Sequence, residues 1–453
     1  MNFRAVIKKV IPKNFFAKVE PYGHWAEALI ENIIFGFPFR GIKTIGITGT
    51  AGKTTTSTLL AHILKESGLN VGYMGTVSID YADGRGPIHN ETRMTSLGSL
   101  RLIKTVKQMR KNNMDWLVME VSSQALTQHR VLGVTFQIVG YTNLSHDNYH
   151  YHGSFSNYRD AKIKLFKQAN RRLLAKRAGV VNIDDENGKY FARNIKNPLT
   201  YGIKKGDLRA TDIELNPNGS TFNVSISGDV YKIKSNLPGM FNVYNTLCAI
   251  GIAREVGLSI EQIEKGIASL KAVEGRMNSI DLGQDFGVIV DYACTPESFK
   301  QLFAAIKPLA KGRVISVFGS AGRRDEAKRP LQGEIAGNNS DIVILTEEDD
   351  RDQDGMKIIE EIAEGVKKTG KKKDKDLFYI HNREEAVEKA ISLAKKDDLV
   401  LLLGKGEETV IITNKPGFKT GQGHIYNEST DTLFRHYNET ETAKKVLKKI
   451  VKH

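Results

Sequence analysis

The run Thr44-Ile45-Gly46-Ile47-Thr48, followed at once by Gly49-Thr50-Ala51-Gly52-Lys53-Thr54-Thr55 and then by a Ser-, Thr- and Leu-rich stretch, constrains this chain more than any other feature. A short apolar run closed by glycines and opening a helical pattern predicts strand, tight turn and helix in that order. Glycines 49 and 52 let the backbone turn and aim N–H groups at an anion. Lys53 adds a point charge, and Thr54 offers a hydroxyl to Mg²⁺ at the helix N-terminus. The longer P-loop spacing is not kept, because Ile47 stands five residues before Gly52 and Gly46 is one residue too early. The shorter form GTxGKT directly behind an apolar strand still points to a nucleoside triphosphate. A glycine-rich turn opening an ordinary helix is the bland alternative.

Further apolar runs at Trp116 to Val121, Phe136 to Thr142 and Val180 to Ile183, separated by helical patterns, predict an α/β unit with a mostly parallel sheet. From about Leu208 to Ile233 the residues alternate between Asn and Gly turns, the pattern of antiparallel hairpins added to that sheet. Helices are expected over Asn245 to Val256 and Ile260 to Leu270, with a boundary near Asn278. Strands expected at Val288 to Tyr292, Val314 to Phe318, Ile342 to Thr346, Leu377 to Ile380 and Leu399 to Leu403 make a second, Rossmann-like α/β unit. A length of 453 residues suggests about three domains. The expected division is a short helical segment over 1–42, a central nucleotide-binding domain over 43–278 and a C-terminal domain over 279–453.

Lys plus Arg number 66 against 52 Asp plus Glu, a net charge of +14 that raises nucleic acid or an anionic small substrate as partners. Much of the excess sits at the chain ends and in Lys367, Lys368, Lys371, Lys372, Lys373 and Lys375. No aromatic residues interleave there to stack on bases, so a solvated loop or helix end is expected and no nucleic acid. Cys248 and Cys294 are far apart with no CxxC spacing, which indicates neither a zinc site nor an oxidising compartment; a cytoplasmic protein is expected. No stretch reaches the roughly 20 apolar residues of a membrane span, so stable insertion is not expected. The N-terminus is basic and amphipathic without a signal-peptide pattern. It either packs on the protein itself or touches a membrane surface through Phe15, Phe16 and the early lysines.

Several segments, in this order, resemble the Mur ligases: GITGTAGKTTT, MEVSSQAL, TNLSHDNYHYHGSFSNYRDAKIKLF, LPGMFNVYNTLCAI, EGRMNSI, VDYACTPESF, GSAGRRDEAKRP and LGKGEE. The likeness runs from about Lys43 to the C-terminus. It is strongest to the branch that adds the third, diamino acid residue of the peptidoglycan peptide. The resemblance implies that the γ-phosphoryl of ATP is transferred to an acceptor carboxylate and that an amine attacks the resulting acyl phosphate. The protein then mainly positions and neutralises charge. The amino acid implied is meso-diaminopimelate, the acceptor UDP-MurNAc-L-Ala-D-Glu or a similar precursor, and the enzyme a monomer using ATP and Mg²⁺.

By the same resemblance Gly49, Thr50, Ala51, Gly52, Lys53, Thr54 and Thr55 hold the phosphates, Thr54 and Glu120 hold metal, and Lys162 is the lysine the family carbamylates. Asn148 stands where the family has a histidine ligand, and its amide oxygen is an acceptable Mg²⁺ ligand; His150 or His152 are alternatives. Asn245 is implied at the adenine, Arg276 at the phosphates and Asp291 at the ribose. Thr95, Ser96, Ser122, Gln128, Arg130 and His152 are implied for the acceptor. Arg324, Asp349, Arg351, Gly404 and Glu408 are implied for the amino acid, with Arg351 as the fork for a distal carboxylate and Glu408 for a distal ammonium. Cys294 replaces a family histidine and is not expected to act as a nucleophile. Only about 43 residues precede the phosphate-loop strand, which implies a reduced cover for a uridine nucleotide. The alternatives are a same-superfamily ligase with a non-UDP acceptor, such as a folate-like polyglutamate, and a nucleotide-binding pseudoenzyme suggested by Asn148, Cys294 and Gln124.

Overall fold

The computed structural model describes residues 13–92, 94–145, 149–170, 178–216, 219–307, 310–415 and 431–451. These form two compact units, one of residues up to 214 with 221–235 and 242–270, the other of 271 onward with 215–220 and 236–241.

The first unit carries an eleven-stranded sheet. From one edge its strands run Asp229–Ser235, Gly219–Ile226, Leu208–Asn216, Pro198–Gly202, Ala178–Asn182, Phe136–Tyr141, Lys43–Thr48, Trp116–Glu120, Val71–Met74, Ser78–Asp80 and Ile88–His89. The strands from Val71–Met74 across to Leu208–Asn216 are parallel to their neighbours. Their central members read as continuous apolar runs because both faces are covered. Ile45, Ile47, Leu117, Val118 and Val139 are fully buried, each worth about 1.5–3 kcal/mol relative to exposure. At one edge, Ser78–Asp80 pairs antiparallel with both Val71–Met74 and Ile88–His89. At the other, two residues, Ser227 and Gly228, join adjacent strands, and both have positive φ (49° and 92°). That is the twist-matched hairpin turn, and a connection so short permits only an antiparallel pair. The sheet is therefore mixed, as the alternation in sequence implied.

Parallel register is what builds a site at one end of this sheet. Ile47 pairs with Glu120 and Thr48 with Tyr141, so three strands finish side by side and their following loops converge. In open α/β sheets ligands bind at such carboxyl ends.

The second unit has a six-stranded sheet ordered Asn278–Ser279, Gly287–Asp291, Leu399–Leu403, Val314–Phe318, Ile342–Leu345 and Leu377–Tyr379, parallel except for its first, antiparallel strand. Alternate residues face two separate cores. Phe299, Phe318, Ile359 and Leu401 belong to one; Val290, Val317, Ile391, Leu402 and Leu447 belong to the other. This is a doubly wound sheet with helices on both faces. Leu447 lies on the last helix, Glu439–Val451, which is anchored by a fully buried ion pair from Arg383 Nε to Glu439 Oε2 at 2.7 Å. The same guanidinium donates to the carbonyls of Glu347 (3.0 Å) and Leu403 (2.6 Å), so one side chain ties that helix to two strand ends.

The lysine run falls where the sequence placed it, at the end of the helix Gly355–Lys368 and in the turn that follows. Lys367 and Lys373 lie over the ring of Tyr379. Among the described residues no helix is long and apolar enough to cross a membrane.

Candidate active site

The loop between Thr48 and the helix Lys53–Glu66 depends on two glycines. Gly52 adopts a left-handed conformation (φ 81°) at the helix N-cap, and a Cβ there would lie 2.2 Å from Asn245 Oδ1. A Cβ on Gly49 would lie 1.9 Å from Thr142 Oγ1. The loop is stitched from the neighbouring strand end. Thr142 Oγ1 donates to the Ala51 carbonyl (2.7 Å), Asn143 Oδ1 accepts from the Ala51 amide (2.9 Å), and the Thr50 amide donates to the Asn143 carbonyl (2.9 Å). Thr50 Oγ1 meets Tyr158 Oη at 3.1 Å.

Lys53 Nζ donates to the carbonyls of Gly49 (3.0 Å) and Thr50 (2.8 Å). Lys162, only 2% exposed, comes from the helix Phe155–Ala169 and also donates to the Gly49 carbonyl (2.7 Å), with its ammonium over the Tyr158 ring. Two amines of the sequence-predicted set therefore converge on one carbonyl. Glu120, fully buried, ends the adjacent strand. Its Oε2 accepts from Thr54 Oγ1 (3.1 Å) and Thr76 Oγ1 (3.0 Å); its Oε1 accepts from the Thr76 amide (2.8 Å) and, more distantly, Tyr73 Oη (3.4 Å). Burial, aided by the Glu120 charge, pushes the Tyr73 hydroxyl well up, so it remains a donor. Thr54, Glu120 and their surroundings form a set of hard oxygens suited to Mg²⁺.

Asn148 lies outside the described residues. Asn245 is 5% exposed and turned to the back of the phosphate loop, with Thr56 Oγ1 at 3.5 Å from its Oδ1 and its Nδ2 donating to Asn242 (3.0 Å).

The six residues implied for the acceptor form one connected edge. Thr95 Oγ1 accepts from Thr76 (3.2 Å), Ser96 Oγ accepts from the Ser122 amide (2.9 Å), and His152 Nε2 meets Ser123 Oγ at 2.9 Å. Arg130 holds Gln128 Oε1 (2.8 Å) and the Ser96 carbonyl (3.2 Å). Gln128 and Arg130 also line a cavity of about 640 Å³ together with Arg101, Lys104, Glu27 and Glu31.

In the second unit Arg276 pairs with Glu407 (3.1 Å) and stacks over the Tyr292 ring. Asp291 is buried and accepts from the amides of Met277 (2.8 Å) and Ala293 (2.7 Å); burial raises its carboxyl above the usual range, though Arg276 opposes this. The residues implied for the amino acid are drawn into a tight network. Asp349 Oδ1 accepts from Lys405 Nζ (3.0 Å) and the Ile412 amide (2.9 Å), and Lys405 also holds Glu408 Oε2 (2.5 Å). Glu408 Oε1 accepts from Tyr292 Oη (3.3 Å). Arg351, buried and at φ 55°, donates to the Gly322 carbonyl (2.8 Å) and faces Asp349 Oδ2 at 3.7 Å. Burial would lower the Lys405 ammonium's pKa, but Glu408 and Asp349 outweigh it and hold it raised. Gly404 lies against Glu348, whose carboxyl burial pushes up. Arg324 is exposed on the preceding loop.

Sequence reasoning missed Tyr73, Thr76 and Asn143 around the phosphate loop and Lys405, Tyr292 and Glu407 in the second unit. Lys405 stood within the quoted LGKGEE segment and carried a usable signal, a lysine three residues before Glu408. Glu407 lies in the same segment, Tyr292 in VDYACTPESF and Asn143 in TNLSHDNYHYHGSFSNYRDAKIKLF, whereas Tyr73 and Thr76 belong to none of the quoted segments.

Comparison with known proteins agrees in order and extent. The Mur ligase middle domain matches residues 47–253, and the Mur ligase glutamate ligase domain matches 275–406. The UDP-N-acetylmuramoyl-L-alanyl-D-glutamate--2,6-diaminopimelate ligase 1 of Clostridium acetobutylicum is 35% identical over 432 residues, covering 94% of this chain and 86% of that protein. A solved structure of a ligase of the same name superposes with a TM-score of 0.60 at 27% identity, covering 91% of this chain and 80% of that one. The folylpolyglutamate synthase of Mycobacterium tuberculosis, solved in complex with ADP, shares the fold at a TM-score of 0.68 and 14% identity, over 84% of this chain and 91% of that one. With both domain models matched in sequence and a full-length relative at this identity, the chain belongs to the Mur ligase family.

Proposed function

We propose that this Mur ligase uses ATP and Mg²⁺ to join meso-diaminopimelate to UDP-MurNAc-L-Ala-D-Glu through an acyl phosphate. The observation that carries this reading is the convergence of Lys53 and Lys162 on the Gly49 carbonyl beside a fully buried Glu120 held by Thr54 and Thr76. The loop amides and Lys53 would take the phosphates at the helix N-terminus, which favours negative charge. Thr54 and Glu120, with Asn148, would hold Mg²⁺, which neutralises charge on the transferring phosphoryl group. Tyr73 and Thr76 fix the carboxylate's orientation in advance, so little rearrangement is needed when substrate arrives.

Lys162 is proposed to carry a carbamate. Its neutral amine would add to CO₂ and lose a proton, turning a buried cation into an anion able to ligate metal. Its buried position on the phosphate loop, with its nitrogen 2.7 Å from the Gly49 carbonyl, supports this, because a carbamate there would present hard oxygens at the proposed nucleotide and metal site. Thr95, Ser96, Ser122, Gln128, Arg130 and His152 are proposed to bind the acceptor, and the cavity bounded by Gln128, Arg130, Arg101 and Lys104, with three cations against the carboxylates of Glu27 and Glu31, supports an anionic molecule there. Asn245, Arg276 and Asp291 are proposed for the nucleotide, and Arg324, Asp349, Arg351, Gly404 and Glu408 for the amino acid. The relative's name and Arg351, a planar fork for a second carboxylate, favour diaminopimelate over lysine.

The test is direct. Purified protein is incubated with ATP, Mg²⁺, UDP-MurNAc-L-Ala-D-Glu and a panel of amino acids while phosphate release and product mass are followed. Amino-acid-dependent phosphate release with a tripeptide product supports the reading. ATP binding without turnover on any pair would support a pseudoenzyme instead.

A further inference from the structure

Five of the large apolar side chains left most exposed lie on one helix, Lys13–Ile34: Tyr22 (74%), Trp25 (45%), Ile30 (55%), Ile33 (58%) and Ile34 (70%). The helix packs with its poorer face inward. What it buries are Ala28 and Asn32, and Asn32 Nδ2 donates to the carbonyls of Ala28 (2.8 Å) and Leu132 (3.1 Å). At 100° per residue Ile30 lies opposite the buried Ala28 and Asn32, with Tyr22 and Ile33 to one side of it and Ile34 to the other, while Trp25 borders the buried face. The same spacing runs back in sequence through Val19 and Phe15. Glu27 and Glu31 fall off the stripe, towards the cavity that holds Arg101 and Lys104.

Charge is just as one-sided. Residues 1–19 contain Arg4, Lys8, Lys9, Lys13 and Lys18 and no Asp or Glu. We propose that this helix seats the protein on an anionic lipid bilayer, lying in the headgroup layer with the Tyr22–Trp25–Ile30–Ile33–Ile34 face towards the acyl chains. The inference stands apart from the ligase reading. An amphipathic helix with a wide apolar face, interfacial Trp and Tyr and flanking cations is the form that lies on a membrane, and no described helix is apolar enough to cross one. A second copy of the chain is a poorer occupant, because it would add the same excess of basic charge rather than offset it. Anionic headgroups supply the opposite charge.

The experiment uses the full chain with phosphatidylglycerol-rich vesicles and with neutral phosphatidylcholine vesicles, read by co-sedimentation and by tryptophan emission. Trp116 is buried, so a blue shift on binding reports Trp25. Expected are partition onto the anionic vesicles at least about tenfold stronger than onto neutral ones, weakening with added salt, and a shift lost in Trp25→Phe. The triple variant Ile30→Ser, Ile33→Ser, Ile34→Ser alters exposed positions only. It should keep its circular dichroism and its turnover of soluble substrates while losing vesicle binding about tenfold or more. No partition at low salt, equal partition onto both vesicle types, or undiminished binding by the triple variant would each overturn the proposal. So would a wild-type dimer that the triple variant converts to monomer, since a second copy would then cover the face.

Discussion

Glu120 and Glu408 both follow strands of a parallel sheet at its carboxyl end, yet their partners differ in kind. Glu120 takes its hydrogen bonds from hydroxyls and an amide, all neutral. Glu408 is held by the ammonium of a fully buried Lys405, which also binds Asp349. A carboxylate oriented by neutral donors keeps its full charge for a cation that arrives later. A carboxylate already neutralised by a buried lysine is part of the framework, and an incoming ammonium must share it. The first region is laid out for charges to enter; the second is internally compensated, and the selectivity proposed for it would rest on shape and on the guanidinium of Arg351.

The largest effect should come from Lys53→Ala. Turnover should fall by about 1,000-fold or more with unchanged circular dichroism, because the point charge proposed for the phosphates is lost. Wild-type turnover in that folded variant would remove the phosphate assignment.

Lys405→Met should act the opposite way, through stability. It leaves the buried Asp349 and the partly exposed Glu408 without their lysine, a loss of up to about 3–5 kcal/mol that denaturant unfolding of the full chain would register in the second unit's transition. An unchanged transition would mean that the network is not compensated as described.

Glu120→Gln sharpens the contrast. The amide keeps the volume, its oxygen can still accept from the Thr76 amide and its NH₂ can donate to the Thr54 and Thr76 hydroxyls, so stability should shift by no more than about 1 kcal/mol while turnover falls about 100-fold. A comparable loss of stability would show that Glu120 belongs to the framework after all.

The smallest effect is the most selective. Arg351→Ala should reduce the preference for diaminopimelate over lysine by about 10- to 150-fold in kcat/KM, the worth of one charge-assisted pair, acting through diaminopimelate alone. Equal efficiency of the wild type with both amino acids would defeat the specificity reading and leave ligation untouched.

These regions were not equally legible in the sequence. Strand, glycine turn and helix around Gly49 to Thr54 are written in a contiguous stretch, because close backbone approach needs glycine and a parallel strand needs an apolar run. The cradle of Glu120 was not, since Tyr73 and Thr76 reach it only through the pairing of Val71–Met74 with Trp116–Glu120. Asn245 meets Gly52 across nearly two hundred residues by helix packing, which no spacing rule reports. The amphipathic N-terminal helix was visible, but hydrophobicity alone misleads about its orientation. The polar Asn32 is buried because it caps the Leu132 carbonyl, and the isoleucines are left outside.

The buried Arg383–Glu439 pair bears on how the chain comes into being. Arg383 reaches Glu347, Leu403 and Glu439, and the last of these is made fifty-six residues after Arg383 itself. A ribosome holds its most recent residues inside the exit tunnel. The second sheet therefore cannot neutralise its central guanidinium until Glu439 has left the tunnel. A C-terminal truncation or a stalled nascent chain would carry a buried, uncompensated cation and stay open to proteases. The first unit, whose loop, helix and strands all precede residue 271, is complete long before that moment.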